Sequence, residues 1–128
     1  MPLLLLLTAL FTAYLPPETS VEWLSPTEHD FGEIDYNTPV THFFEYRNTT
    51  GSPIVIDNVR PGCGCTAPEW SVVPLEPDST AALKVVYDAR KVGYFRVPIK
   101  VYFSSQRKAE RLYIEGEVVD RSKPSVDN

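Results

Sequence analysis

The stretch Phe95-Arg96-Val97-Pro98-Ile99-Lys100-Val101-Tyr102-Phe103 decides the fold class, because Phe95, Val97, Ile99, Val101 and Phe103 occupy alternate positions. Successive side chains of an extended chain point to opposite faces, so this spacing gives a strand with one wholly apolar side. Pro98 falls on the other side; having no N–H to give to a ladder, it predicts an edge strand or a bulge. The same period recurs in both directions along the chain. Ala81, Leu83, Val85 and Tyr87 alternate over 81–88, and Leu112, Ile114 and Val118 do so over 111–119, where Gly116 marks a close approach or bulge.

Upstream, Val21 to Leu24, Phe31 to Ile34, Val40 to Arg47 and Ile54 to Val59 read as further short strands. In one of them Val40, His42, Phe44 and Tyr46 share a face, and Val21 and Trp23 share one in another. Asn48-Thr49-Thr50-Gly51-Ser52-Pro53 has the composition of a strand-to-strand corner, since Asn and Gly tolerate positive φ and Pro ends the connection. Residues 67–79 carry little regularity, and no segment sustains a helical period. Strands apolar on one face, with no helices between them, bury that face by stacking two sheets. The expected fold is therefore all-β, an antiparallel sandwich of about seven strands.

At 128 residues the chain has room for one domain. Residues 1–17 form an apolar segment with the length of a signal-peptide core, running through Leu3 to Leu7 and ending at Pro16-Pro17. It falls short of the roughly 20 apolar residues that cross a bilayer, so no transmembrane span is expected. The sandwich is expected over 18–120 and a polar tail over 121–128. A net charge of −5 repels a polyphosphate backbone, which excludes nucleic acid as the natural partner.

Cys63 and Cys65 are the only cysteines, and Gly64 separates them. Alternate Cα atoms in an extended strand lie roughly 6.5–7 Å apart, at the upper limit for a bridge, so a disulfide requires the chain to turn at Gly64. Three chemistries are open to the pair: a structural bridge or buried thiols, a thiol-redox couple, or a soft-metal site in which the two thiolates hold Cu(I) or, together with His29 and His42, Zn. No β-α-β pattern accompanies the cysteines, which weakens the redox reading. His42 reads as a satisfied core residue and His29 as a loop residue, which weakens the metal reading. Trp70, in the irregular segment after Cys65, is the candidate for partner contact or for lidding one end of the sandwich. Asp57, Glu69, Glu76 and Asp78 read as solvated loop charges. No nucleophile elbow or phosphate-cradling loop is present, so neither catalysis nor a cofactor is expected.

Several local patterns combine into one resemblance: His29-Asp30-Phe31-Gly32-Glu33-Ile34, the Asn48-Thr49-Thr50-Gly51 corner, Gly62-Cys63-Gly64-Cys65-Thr66, Leu75-Glu76-Pro77-Asp78 and Lys91-Val92-Gly93-Tyr94-Phe95. Together they resemble the bacterial domain-of-unknown-function family 1573 over roughly Val21 to Val119, with Asp78 standing where that family usually has Gly. The resemblance implies an immunoglobulin-like fold related to Hydin-like modules, and an exported protein of the periplasm or cell surface. It implies no activity. The resulting expectation is a non-catalytic binding or structural module whose partner is a protein or another cell-envelope component, engaged through loops or an exposed sheet edge.

Overall fold

The computed structural model describes residues 19–122, so the apolar segment 1–17 lies outside the described residues, as does the tail beyond Ser122. Among the described residues eight strands follow one another: β1 (Val21–Trp23), β2 (Glu28–Asp35), β3 (Val40–Asn48), β4 (Ile56–Pro61), β5 (Thr66–Glu69), β6 (Thr80–Tyr87), β7 (Gly93–Phe103) and β8 (Glu110–Val119). They form two four-stranded sheets, β1-β3-β6-β5 and β2-β8-β7-β4. This is the order of a constant-type immunoglobulin sandwich whose first strand is split between the sheets: β1 starts on β3, and β2 finishes on β8.

The alternation that predicted the strands fills the space between the sheets. Phe44, Leu83 and Val85 from one sheet, and Ile99, Val101, Leu112 and Ile114 from the other, are wholly buried. Burying side chains of this size stabilises by about 1.5–3 kcal/mol each, which is what holds two layers with no helix between them.

Four expectations are corrected. The strand count is eight, because Thr66–Glu69 pairs with β6 inside the segment that reads as irregular; its four residues include Pro68 and are too few to display a period. β2 runs parallel to β8, so the sandwich is not purely antiparallel. The β2 strand begins at Glu28, which places His29 within a strand and not in a loop. Pro98 lies in β7, a central strand between β8 and β4, and not at an edge. Its tolerance there has a simple cause. The Pro98 carbonyl accepts the Gly62 N–H at 2.8 Å, just past Pro61, the last β4 residue in the ladder, so the side on which Pro98 lacks a donor is where the ladder ends.

One corner is fixed by a buried amide and another by a left-handed backbone position. Asn48 is 0% exposed; its Nδ2 donates to the Ser52 carbonyl (2.8 Å) and the Leu75 carbonyl (2.9 Å), while its Oδ1 accepts from the Thr50 N–H (2.8 Å) and hydroxyl (2.7 Å). Asp78 follows Pro77 in the turn closed by Ser79 N–H to the Glu76 carbonyl (3.1 Å), at φ 62°. That left-handed conformation favours Gly, and Asp is one of the few side chains that adopts it.

Candidate functional site

Cys63 and Cys65 are joined by a disulfide across a turn, with their Cα atoms 5.3 Å apart. The turn connects β4 of one sheet to β5 of the other and so closes one lateral side of the sandwich. Both sulfurs lie 3.7 Å from the Thr66 hydroxyl and pack against the core. A Cβ on Gly62 would approach Pro98 Cδ to 2.8 Å, so only Gly lets the chain enter the turn this close to β7. By the chain-entropy relation, a ring this small confines little of the unfolded state. Reduction, or the Cys63→Ser/Cys65→Ser double variant, is expected to lower stability by no more than about 1.5 kcal/mol. Urea titrations with and without reductant check this, and a loss above about 3 kcal/mol would refute it.

Trp70 is half-buried just past the end of β5, beside the start of β4 and at the end of these strands away from the turn. Its ring packs against the core, and its indole N–H donates to the Ile56 carbonyl at 3.2 Å, so its polar edge is used within the domain.

The histidines lie elsewhere. His29 on β2 and His42 on β3 stack with ring centroids 3.6 Å apart, and Phe31 and Phe44 meet them edge-on. The sheet order puts this pair at the lateral side opposite the cysteine turn: β2 and β4 are the two edges of one sheet, three strand spacings apart, or on the order of 14 Å. The structure therefore does not gather the two sulfurs and two imidazoles into one ligand set, and among the described residues no cluster of three or more His, Cys, Asp or Glu could hold a metal ion. The expectation of a satisfied His42 is also corrected, since its Nε2 is buried with no hydrogen-bond partner.

Burial, and then the neighbouring charge of His29, push the His42 pKa below the ordinary 6.5. The folded protein thus binds this proton less readily than the unfolded chain. The stability associated with the neutral ring is complete above pH 6.5 and is lost as pH falls from there toward the lowered value. His42→Phe is expected to keep the stack, remove the unpaired nitrogen and raise stability by about 1 kcal/mol at neutral pH, with a larger gain at pH ~5. Parallel denaturant titrations at the two pH values check this; an equal gain at both would separate the acid loss from His42.

The two lateral sides differ in their backbone. On the cysteine side, Gly62 N–H to Pro98 fixes the register of β4, so Val59 and Pro61 direct their backbone groups outward. The Val59 N–H is taken by Asn58 Oδ1 (2.9 Å), and Pro61 has none. On β5, Asp88 N–H to the Cys65 carbonyl (3.0 Å) places Thr66 and Pro68 outward, and Pro68 again lacks a donor. Both edges on this side are thus poor templates for another strand. On the opposite side β1 covers only the end of β3. The ladder stops at Trp23–Tyr46, followed by Leu24 N–H to the Glu45 carbonyl (2.8 Å), and the Ser25 hydroxyl then takes the Glu45 N–H (3.2 Å). Thr27 already accepts from Tyr113 of the other sheet (2.9 Å). Beyond that point Thr41 and Phe43 direct their N–H and C=O groups away from β6, and among the described residues no strand lies beside them.

These features define a two-sheet, immunoglobulin-like β-sandwich domain, with a disulfide-closed side and an incompletely covered one. The chain belongs to the family described as protein of unknown function (DUF1573), whose model matches residues 23–118. No curated protein matches it. Among solved structures it is similar to a protein of unknown function from Porphyromonas gingivalis W83 (16% identity, TM-score 0.65), covering 84% of this chain and 51% of that one. It is also similar to the ASH/PapD-like domain 7 of human CEP192 (12% identity, TM-score 0.66), covering 83% and 89% of the respective chains. The YadV chaperone is a further likeness at 13% identity and TM-score 0.54, covering 86% of this chain and 55% of that one. At these identities the likenesses show the fold, and the chain spans about half the length of the P. gingivalis protein.

Proposed function

We propose that this chain is a non-catalytic binding module of the bacterial periplasm or cell surface, which engages a protein partner along the incompletely covered side of its sandwich. The observation that carries this reading is the asymmetry between the lateral sides. Pro61, Pro68 and the Asn58 cap occupy the outward positions of β4 and β5, whereas β3 keeps an uncovered segment. Unpaired strand edges are an aggregation hazard, so a fold that blocks some of them and leaves another open has a use for the open one. Export is supported by the apolar run within 1–17 and by a disulfide that suits an oxidising compartment.

The test is made in the source bacterium with the full chain. A photo-reactive residue at Phe43 is expected to give one discrete protein adduct in the envelope fraction, and the same residue at Glu69, on the blocked side, none. Cytoplasmic protein with reduced cysteines would overturn the location. Adducts of equal yield from both positions would overturn the binding side.

A further inference from the structure

We infer that the uncovered segment of β3 is a strand-docking slot, and that its occupant is an extended segment of a partner protein in which apolar residues alternate with Lys or Arg. This deepens the binding-module reading and rests on it.

Three observations carry the inference. The first is the backbone. Thr41 and Phe43 offer two N–H and two C=O groups in the plane of the sheet, in line with β1, and the chain has crossed to the other sheet by Thr27. An added strand here continues the line of β1 along β3 and hydrogen-bonds as β1 does, so no rearrangement of the sandwich is needed to receive it.

The second is the outer face beside the slot. Phe43 is 52% exposed and Leu24 39% exposed, and the Leu24–Glu45 bond makes them diagonal neighbours on that face. A side chain on the same face of an added strand lies about 5 Å from Phe43 and covers it. The nearest cation on this face, Lys84 opposite Phe43, is held by Glu69 at 3.4 Å.

The third is charge, which selects between a foreign segment and a second copy of this chain. Strands β1, β2 and β3 carry Glu22, Glu28, Asp30, Glu33, Asp35 and Glu45 against a single cation, Arg47. Arg96 from β7 reaches Glu28 (2.7 Å), and Arg121 reaches Asp35 (2.6 Å) and Glu33 (3.1 Å). Six carboxylates against three guanidiniums leave this side with a net −3. Two copies docked edge to edge would bring two such sides together, whereas a basic segment neutralises one.

The test uses the folded protein and three capped octapeptides: alternating Lys-Val, alternating Glu-Val, and the Lys-Val peptide N-methylated at alternate residues. N-methylation removes strand donors while leaving charge and side chains in place. The Lys-Val peptide is expected to shift the Thr41 and Phe43 amide resonances saturably and to slow their hydrogen exchange at least tenfold. The Glu-Val and N-methylated peptides are expected to bind at least tenfold more weakly. Phe43→Pro, which removes an outward N–H that no strand uses, is expected to reproduce that loss with the fold retained.

Equal binding of the N-methylated peptide would reduce the effect to charge and overturn the slot. Protection of Thr41 and Phe43 that grows with protein concentration in the absence of peptide would identify a second copy as the occupant and overturn the basic-segment assignment. Saturable binding that maps to Thr66–Glu69 would overturn the slot and the proposed binding side together, leaving only the broader class of binding module. Absence of binding by every peptide, together with absence of a crosslinked adduct at Phe43, would overturn both.

Discussion

Asn48→Asp is expected to lower stability by about 3–5 kcal/mol, or roughly 15–25 °C in melting midpoint, although the substitution changes one side-chain atom. The reason is the direction of its hydrogen bonds. Asn48 Nδ2 points at two carbonyl oxygens, those of Ser52 and Leu75, from a side chain with no solvent exposure. Aspartate places an oxygen there, so two acceptors face a third and the charge is buried beside them. The Thr50 N–H and hydroxyl retain their acceptor, which confines the damage to the Nδ2 side. Protonating the aspartate restores one donor, and burial beside two carbonyl oxygens raises its folded-state pKa above the unfolded value, so the deficit relative to the parent is expected to shrink as pH falls from that raised value and to level off below the ordinary carboxylate pKa of about 4. Asn48→Leu removes the donors and the acceptor together and is expected to lose about as much, without that recovery on acidification. Denaturant titrations at pH ~7 and ~4 check both variants; a loss under about 1 kcal/mol for Asn48→Asp would mean that the corner does not depend on this amide.

Gly116→Ala is the second large effect, at about 2–3 kcal/mol, and it acts on one strand. A Cβ on Gly116 would lie 2.9 Å from the Gly32 carbonyl oxygen and 3.0 Å from two carbons of the Phe95 ring. Neither neighbour yields easily. Gly32 is fixed in the β2 bulge at φ 68°, with its N–H taken by Asp30 Oδ1 (2.8 Å), and Phe95 stacks on Tyr87 at 3.8 Å. With both contacts held locally, relief has to come from displacing β2 as a whole, an edge strand paired on one side only, by its ladder to β8 and by the Arg96–Glu28, Arg121–Glu33 and Arg121–Asp35 pairs. The expected signature is faster amide exchange in β2 and at the bulge, with β3, β6 and β7 unchanged. Gly64→Ala is the matched control, because no atom lies within 4 Å of its added Cβ; a change within about 0.5 kcal/mol is expected. Equal losses in the two variants would remove close packing as the cause.

The core was legible because its signal is repeated. Each of β3, β6, β7 and β8 is long enough for the alternation to declare itself, and the residues it places inward at Phe44, Leu83, Ile99 and Leu112 are buried. Gly116 stood out for the same reason, as a gap in an apolar series. Short edge strands escape this reading. Thr66–Glu69 offers four residues and a proline, and β2 opens with Glu28-His29-Asp30, whose strand character comes from its parallel pairing with β8. Pro98 misled because the rule against proline inside a sheet concerns the donor it lacks, and here that donor would have pointed past the end of β4.

The candidate site was less legible than the fold. Which backbone groups at Thr41 and Phe43 stay unpaired depends on where β1 leaves the sheet, a property of topology that neither residue type records. The stacking of His29 on His42 joins two sheets and could not be read from either strand alone. Asp78 is the converse case. It stands where the family usually has Gly, and its φ of 62° accounts for that preference in backbone terms.

The prolines at positions 61 and 68 bear on how many molecules can join. A sandwich receptive along both flanks could pass strands from copy to copy and grow without limit, as fibres do. With proline at two of the outward positions on one flank, strand-by-strand growth in that direction is disfavoured, and a complex formed by docking on the other flank would stay small.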